Sequence, residues 1–594
     1  TKHFDRDFVR RLLEALPFED LDEATDGLLV HGENYQALRL LMERYREQVK
    51  CIYIDPPYNT DDVPILYKNG YKHSTWLALI DGRLHLAAKF LCRNGILEVA
   101  IDDAEQAHLA NFLDYAFPMR ERVTFVINHH PQGSPKHNIS RTHEYLLVLV
   151  PKGLDILRLP REEDSVSERP FMRTGTANNN FRIGRPNSFY AVLVDTREKK
   201  VVGVEPPPNG VYPVEPNPEG YFRVYPIDSN GAERVWRKTY QRAIRMIEQG
   251  DLTVRIRDNG KITVYEKANV KLTKPVSNWV GSCYNAGPHG TNLLTDVLGE
   301  NLFSYPKSIN AVSDAVQMAT YDEPDQCIVF DFFAGSGTTG HAVINLNRED
   351  DDGWRKFILV EMGEYFDTVL LPRIVKVMYT PEWKDGKPKR EATPEEAERT
   401  PRLVKILRLE SYEDALHNLA AASTLERAAK HAAAYKALAG EDAYRLRYWI
   451  ELPLREAETC LRTLDLAHPF TYSMEILTDD GPVRKPVDVV ETFNYLYGLR
   501  IRRYETWRNP TDNDREYRVI KATDREGKRR VLVLWRDMAG HDPETERTFL
   551  EGKIAEMEAQ GEVWDEILIN GDSPTPNVTS LDPLFKRLMI RGEE

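Results

Sequence analysis

The 594-residue chain carries a formal charge of −14, with 41% hydrophobic and 29% charged residues. That balance belongs to a folded globular protein of several domains and excludes a disordered or fibrous one. No apolar run approaches the roughly 20 residues of a membrane span, and the opening Thr1-Lys-His-Phe-Asp5 has no apolar signal core. The expectation is therefore a protein of the prokaryotic cytosol with no membrane contact. The chain begins at Thr1 rather than Met, which is compatible with processing or trimming.

Residues 1–27 are acidic, with helical spacing at Phe8, Leu12, Leu13 and Leu16. Strands and helices then alternate. Gly27–His31 reads as a strand, Asn34–Gln48 as a helix, Val49–Ile54 as a strand and Ser74–Leu91 as a helix. Gly95–Ile101, Val123–Asn128 and Tyr145–Val150 read as further strands, with a helix over Asp103–Phe117. Such alternation predicts an α/β sheet, largely parallel.

From 151 to 300 the texture changes to Pro-rich turns and short β-branched runs, which predicts an inserted domain. It should hold a helix near Lys238–Gln249 and a hairpin at Asp258-Asn259-Gly260. The α/β texture returns over 301–381, with strands at Gln326–Asp331 and Lys356–Glu361 around a helix that runs to about Leu346. Residues 382–401 read as a charged linker, Ala415–Leu438 as a helix and Tyr495–Leu534 as strands with turns. Residues 402–594 carry no helicase or nuclease motif and are expected to serve interaction or dimerisation. Cys51, Cys92, Cys283, Cys327 and Cys460 are too scattered for a zinc knuckle or a redox pair, so no metal is expected.

A net negative charge does not exclude nucleic acid, because binding needs only a local basic face. The insert offers one in Arg234, Arg237, Lys238, Arg242, Arg245 and Lys261, with Trp236, Tyr240 and Tyr265 interleaved. The plain alternative is a solvated surface and aromatics buried in a core.

Two motifs carry chemistry. Asp331-Phe-Phe333-Ala334-Gly335-Ser336-Gly337-Thr338 follows a strand and opens a helix. Its glycines permit a tight turn and close ligand approach, and the helix start offers free amides. Glu361 ends the next strand, where an acid can accept from ribose hydroxyls. There is no Gly-Lys-Ser/Thr for a nucleoside triphosphate. The second motif, Asp55-Pro56-Pro57-Tyr58, ends a strand. Its prolines stiffen the loop and leave carbonyls free as acceptors. An acid, a carbonyl and an aromatic ring suit a planar base that bears an amine: Asp55 and the Pro56 carbonyl accept from the NH2, and Tyr58 stacks. Alone, the string is also compatible with a structural Pro-Pro turn capped by Asp55.

Together, the pair resembles the amino-methyltransferases. Asp-Pro-Pro-Tyr lies well upstream of the Gly-rich motif, an order similar to the circularly permuted β group of DNA amino-methyltransferases. Leu29–Asn34, Cys51–Thr60, His73–Leu77, Thr142–Leu147 and Leu407–Ala415 further resemble the modification subunits of type III restriction systems. This resemblance covers roughly 27–150 and 280–418. It implies a doubly wound, Rossmann-like seven-stranded sheet, with catalytic halves at 28–150 and 301–381, an inserted target-recognition domain and a C-terminal α+β region. It implies S-adenosylmethionine as cofactor, held by Asp331, Phe333, Ala334, Gly335, Ser336, Gly337 and Thr338, with Glu361 at the ribose and Glu33 at the adenine edge. Pro306 and Lys307, in Tyr305-Pro-Lys-Ser308, are similar to a cofactor-covering motif that usually reads Lys-Pro. The implied partners are double-stranded DNA, a second copy of the chain and a helicase-nuclease subunit of a restriction or phage-defence system. The implied reaction is methylation of adenine N6 in a flipped-out base. Cytosine N4, an RNA or protein amide, and a DNA-binding specificity subunit are the alternatives.

Overall fold

A computed structural model gives the fold. It describes the chain apart from residues 1–3, 60–72, 136–137, 176–179, 184, 209, 258–259, 322–324, 350–352, 412, 416–465, 479–480 and 591–594. The turn at Asp258-Asn259 and nearly all of the expected helix Ala415–Leu438 therefore lie outside the described residues.

A nine-stranded sheet forms the centre. In chain order its strands are β1 (Thr25–His31), β2 (Val49–Ile54), β3 (Leu91–Ile101), β4 (Arg120–Ile127), β5 (Glu144–Pro151), β6 (Asn278–Trp279), β7 (Asp325–Asp331), β8 (Trp354–Glu361) and β9 (Leu403–Arg408). In space they run β6-β4-β5-β3-β2-β7-β8-β1-β9. β5 is antiparallel to both neighbours, and the other pairings are parallel. The expected seven strands are all present, and β6 and β9 extend the two edges. β2 is buried along its whole length, as a central parallel strand covered on both faces must be.

Each face has its own core. Leu38, Leu41, Trp76, Ile80, Leu84 and Leu109, from the helices Asn34–Tyr45, His73–Ala88 and Asp103–Ala116, pack on one face. Val312, Val316, Val343 and Ile374, from the helices Ile309–Thr320, Thr338–Glu349 and Leu371–Tyr379, pack on the other. Chain order reverses between β2 and β7. β2 leads outward to β3 on one side, and β7 leads outward to β8 on the other, so a crevice opens at the carboxyl ends of this pair.

The insert leaves after β5. Its Leu159–Pro170 strand pairs with Ile262–Thr273, which also pairs with Leu252–Ile256. A second small sheet joins Ala191–Asp195 to Lys200–Glu205 and Phe222–Val224. Phe171, Tyr190, Val194, Trp236 and Met246 fill a separate core. The chain is back on the central sheet well before residue 300: Val126 N–H donates to the Ser277 carbonyl at 2.8 Å, and Val297 is part of the main core.

Residues 382–401 are no free linker. Trp383–Lys384 and Lys387–Pro388 form a hairpin, and Trp383 Nε1 donates to the Lys376 and Thr380 carbonyls at 3.1 and 2.9 Å. A charged, Pro-containing string hid a tryptophan anchor. β9, expected in the C-terminal region, instead pairs in parallel with β1.

Beyond it, Arg500–Asn509, Arg515–Thr523, Arg530–Arg536, Glu566–Ile569 and Val578–Ser580 form a five-stranded sheet. Tyr495 belongs to the preceding helix, Val489–Tyr497, and not to a strand. This unit docks through Arg44, which is 4% exposed. Arg44 pairs with Asp22, donates to the Leu499 carbonyl at 2.6 Å and lies 4.9 Å from the Tyr495 ring centre. Among the described residues no helix is long and apolar enough to cross a membrane.

Truncating one partner of such a buried pair typically costs about 3–5 kcal/mol. Arg44→Ala is therefore expected to lower the melting temperature and to expose the 489–590 unit to limited proteolysis. A variant that melts and digests like the parent would show that Arg44 does not hold the two units together.

Candidate active site

β2 ends at Ile54, and its last turn presents Asp55, Pro56, Pro57 and Tyr58. Trp76 Nε1 donates to the Pro57 carbonyl at 2.8 Å, which pins the loop to the helix below. Asn59 follows with φ +56°, a left-handed conformation that asparagine tolerates. Its side chain donates to the fully buried Glu105 carboxylate at 2.6 Å, and His73 Nδ1 lies 2.8 Å from the same oxygen.

Four polar groups converge above this loop. Lys307 Nζ lies 3.2 Å from Asp55 Oδ1 and also contacts Tyr58 Oη and Glu144 Oε2. Tyr58 Oη donates to Glu144 Oε2 at 3.0 Å, and the Lys307 ammonium sits 4.6 Å from the centre of the Tyr58 ring. Glu144 opens β5. Because β5 is antiparallel, its first residue reaches the same sheet edge as the ends of β2 and β7.

Burial raises the Asp55 carboxyl above its ordinary value; Lys307 opposes this and Glu144 adds to it. For Glu144 burial also pushes upward, but Lys307, His129 and Tyr58 together win and leave it lowered. Lys307 is raised because its two carboxylate partners outweigh its burial. Asp55 Oδ1 is buried and faces the Lys307 ammonium at 3.2 Å without an aligned hydrogen bond.

The Gly-rich turn lies on the neighbouring strand. Register pairs Val329 with Cys51 and Phe330 with Ile52, so Asp331 and Asp55 leave adjacent strands at the same edge. Gly335 and Gly337 have φ of +53° and +80°, which side chains with a Cβ rarely adopt. Asp331 Oδ1 accepts from Phe333 N–H at 3.0 Å and Oδ2 from the Thr339 hydroxyl at 2.6 Å. Its carboxyl is pushed up to about 7 by burial, against those hydrogen bonds. Asp331 thus braces the turn from inside.

Glu361 accepts from Gly335 N–H and Gly363 N–H, both at 2.8 Å, one on each oxygen, and burial raises it. Its remaining lone pairs are what a ribose could use. Glu33 caps the helix Asn34–Tyr45 through Gln36 N–H and pairs with Arg83, so it arrives at the crevice already engaged. Phe333 is nearly buried. Phe303 lies beside Gly335 and packs edge-on against Tyr365 with ring centres 5.0 Å apart.

Behind the turn is a residue that the motif reading missed. Arg373 is fully buried, and among the described residues no carboxylate offsets that burial. It donates to Ser336 Oγ and Thr338 Oγ1, each at 2.9 Å, and burial lowers its guanidinium to about 9. A positive charge set under Ser336–Thr338 and the start of the helix Thr338–Glu349 favours an anionic ligand group there.

A family model described as DNA methylase, of the N6/N4 methyltransferases, matches residues 49–370. This chain belongs to that family. Its methylases depend on S-adenosylmethionine. The chain is 28% identical over 397 residues to the Mod subunit of the type III restriction-modification enzyme EcoPI of Escherichia phage P1, covering 58% of this chain and 59% of that one. It is 30% identical over 363 residues to the type II methyltransferase M.KpnI of Klebsiella pneumoniae, covering 57% of this chain and 81% of that one. The chain thus spans little more than half of the Mod subunit. Among solved structures, M1.HpyAVI in complex with SAM matches at 14% identity, covering 59% of this chain and 98% of that one, with a TM-score of 0.28.

The basic residues of the methylase insert are less available than the sequence suggests. Arg234 bonds Asp228 at 2.8 Å and the Gly175 carbonyl at 2.6 Å, and lies over the Phe181 ring. Arg237 donates to the Pro170 carbonyl at 2.8 Å. Lys238 and Arg242 also have partners within the fold, and the Arg245 side chain is outside the described residues. Lys261 is exposed beside its own turn. Trp236 is 2% exposed and stacks on Phe171, so it belongs to the core. Pro306 is buried, and Lys307 reaches the Asp55 loop rather than the Gly-rich turn.

Arg373→Met removes the charge behind Ser336 and Thr338 while keeping the volume. It is expected to weaken S-adenosylhomocysteine binding about tenfold, worth about 1.4 kcal/mol, in isothermal titration. Unchanged affinity in a folded variant would leave Arg373 a packing residue alone.

Proposed function

We propose that this methylase transfers a methyl group to the N6 amine of adenine in duplex DNA, as the modification component of a restriction-modification or phage-defence system. The observation that carries the reading is the placement of the Asp55 carboxylate and the Tyr58 ring beside the Gly335–Gly337 turn, on adjacent parallel strands. The residues fit the cofactor. Arg373 and the helix start suit its carboxylate, Glu361 suits its ribose, and Phe303 and Phe333 suit its apolar surface.

When bound, S-adenosylmethionine supplies an electrophilic methyl group on a sulfonium, which the target nitrogen takes as the carbon–sulfur bond breaks. The chain's own residues handle the rest. The Pro56 carbonyl and Asp55 accept hydrogen bonds from the target NH2, which leaves its lone pair directed at the crevice. Tyr58 stacks on the base. Asp55 is also placed to receive the proton that the methylated nitrogen must shed. Most of the rate enhancement on this account is orientation in a dry site. A base inside the duplex cannot reach this loop, so it must flip out. The insert, which leaves the sheet after β5 and returns to it at β6, is the proposed target-recognition element. The relatives named Mod subunits support a restriction-modification setting, with a second copy of the chain and a helicase-nuclease subunit as proposed partners.

Asp55→Ala should abolish transfer of labelled methyl to unmethylated genomic DNA while S-adenosylhomocysteine still binds in titration; retained turnover would sink the assignment. Nucleoside mass spectrometry of the product decides the base. N6-methyladenine supports the reading, and N4-methylcytosine keeps the mechanism but changes the base.

Asp55 must be ionised to accept both N–H and proton, and its burial raises the pH at which it gains a proton. Activity should therefore fall on acidification at a higher pH than the ordinary aspartate value of about 3.9 would give. A kcat/KM profile flat down to pH 4 would contradict this role.

A further inference from the structure

The Lys307 ammonium stands where the chemistry of this site calls for the substrate amine. It lies at the hydroxyl edge of the Tyr58 ring, 4.6 Å from its centre, and 3.2 Å from Asp55 Oδ1. A planar base stacked on Tyr58 with its NH2 on Asp55 would claim the same carboxylate oxygen. The ammonium and the amine cannot both hold Asp55 Oδ1.

The backbone beneath Lys307 is fixed. Ser308 Oγ donates to the Cys283 carbonyl at 3.1 Å. Gly290 packs so closely that a Cβ there would meet the Pro306 carbonyl at 2.4 Å. Only the flexible side chain is left to move.

It has somewhere to go. Glu144, 4% exposed, is the second carboxylate already in contact with the ammonium. His129 also faces Glu144 and helps hold its carboxylate lowered, but Lys307 acts on it more strongly, and burial disfavours the protonated imidazole. Glu144 therefore takes its larger counter-charge from Lys307, whichever other group the lysine leaves.

We propose that Lys307 is a displaceable stand-in for the target amine: it fills the Asp55–Tyr58 pocket in the free protein and withdraws onto Glu144 when the flipped base arrives. The proposal rests on the amino-methyltransferase reading and deepens it. It assigns Lys307 to the base pocket rather than to the cofactor. Its consequence is selectivity. A base must offer an amine that competes with an ammonium for Asp55, so bases without one gain nothing by flipping in. The free protein is also spared an empty, buried carboxylate pair, whose mutual repulsion would otherwise strain the loop. Arginine could not replace this lysine, because its rigid fork does not pivot between two carboxylates about one short stem.

The test compares the full chain with Lys307→Met and Glu144→Gln, measuring kcat and KM for unmethylated genomic DNA with labelled S-adenosylmethionine, and S-adenosylhomocysteine affinity by titration. Lys307→Met should lower KM for DNA three- to tenfold, because the competing cation is gone. Glu144→Gln should raise it by a similar factor, because the lysine then keeps Asp55. Cofactor affinity should stay within twofold in both. Opposite signs at two touching residues are not what general damage produces. If Lys307→Met melts early, the rise in KM in Glu144→Gln decides alone.

The proposal is overturned if KM moves in the same direction in both variants or in neither. A tenfold loss of cofactor affinity in Lys307→Met, with KM for DNA unchanged, also overturns it and returns the lysine to the cofactor. A parent protein that binds S-adenosylhomocysteine but labels no DNA removes the methyltransferase reading itself, and this inference falls with it.

Discussion

The parallel pairing of β2 with β7 is the constraint on which the site depends. These strands are separated in sequence by the whole insert, yet they lie side by side and end at the same sheet edge. Chain order reverses between them, so their following loops diverge to opposite faces and leave a crevice. The Asp55 loop and the Gly335 turn form its two walls. Parallel strands buried on both faces tolerate little slippage, because a shift of one residue would send Cys51, Ile52 and Tyr53 to the wrong cores. The spacing of the two loops is thus set by packing far from the chemistry.

Around that crevice the polar groups are held by one another. Asp331 braces the Gly-rich turn and Glu361 ties its backbone to the next strand. Arg373 supports the turn from behind, and Glu105 restrains the end of the Asp55 loop. The cost of burying these charges is offset by hydrogen bonds rather than by simple pairing. Where pairing does occur, around Lys307, it brings together residues from three distant parts of the chain. On the proposed reading, a base pocket that already contains a cation discriminates among bases before any sequence-reading contact is made.

The sequence signals that worked were short and local. Asp55-Pro-Pro-Tyr58 and Phe333-Ala-Gly-Ser-Gly337 are each set by backbone needs that few other residues meet, so both could be read directly. The alternation of β-branched runs with helical spacing likewise predicted the central sheet. What escaped had no local signature. Glu144 lies in an ordinary strand start, and Arg373 follows a proline in an apolar helix. Both matter only because an antiparallel strand and a packed helix carry them to the site. The basic run of the insert shows the opposite relation: Arg234 and Arg237 stand in a charged string but place hydrogen bonds inside the fold. Domain limits also blurred, because Trp383 and β9 attach to the catalytic body through contacts that a charged, Pro-containing stretch does not advertise.

By itself, then, the sequence determined the fold class, the permuted order of the two motifs and the residues that carry them, because each rests on local geometry or periodicity. Only the tertiary structure decided which charges face one another. It put Lys307 on Asp55, Tyr58 and Glu144 rather than over the Gly-rich turn. The physical reason is that a charge's partners are chosen by strand order and burial, which bring together residues that no window of sequence contains.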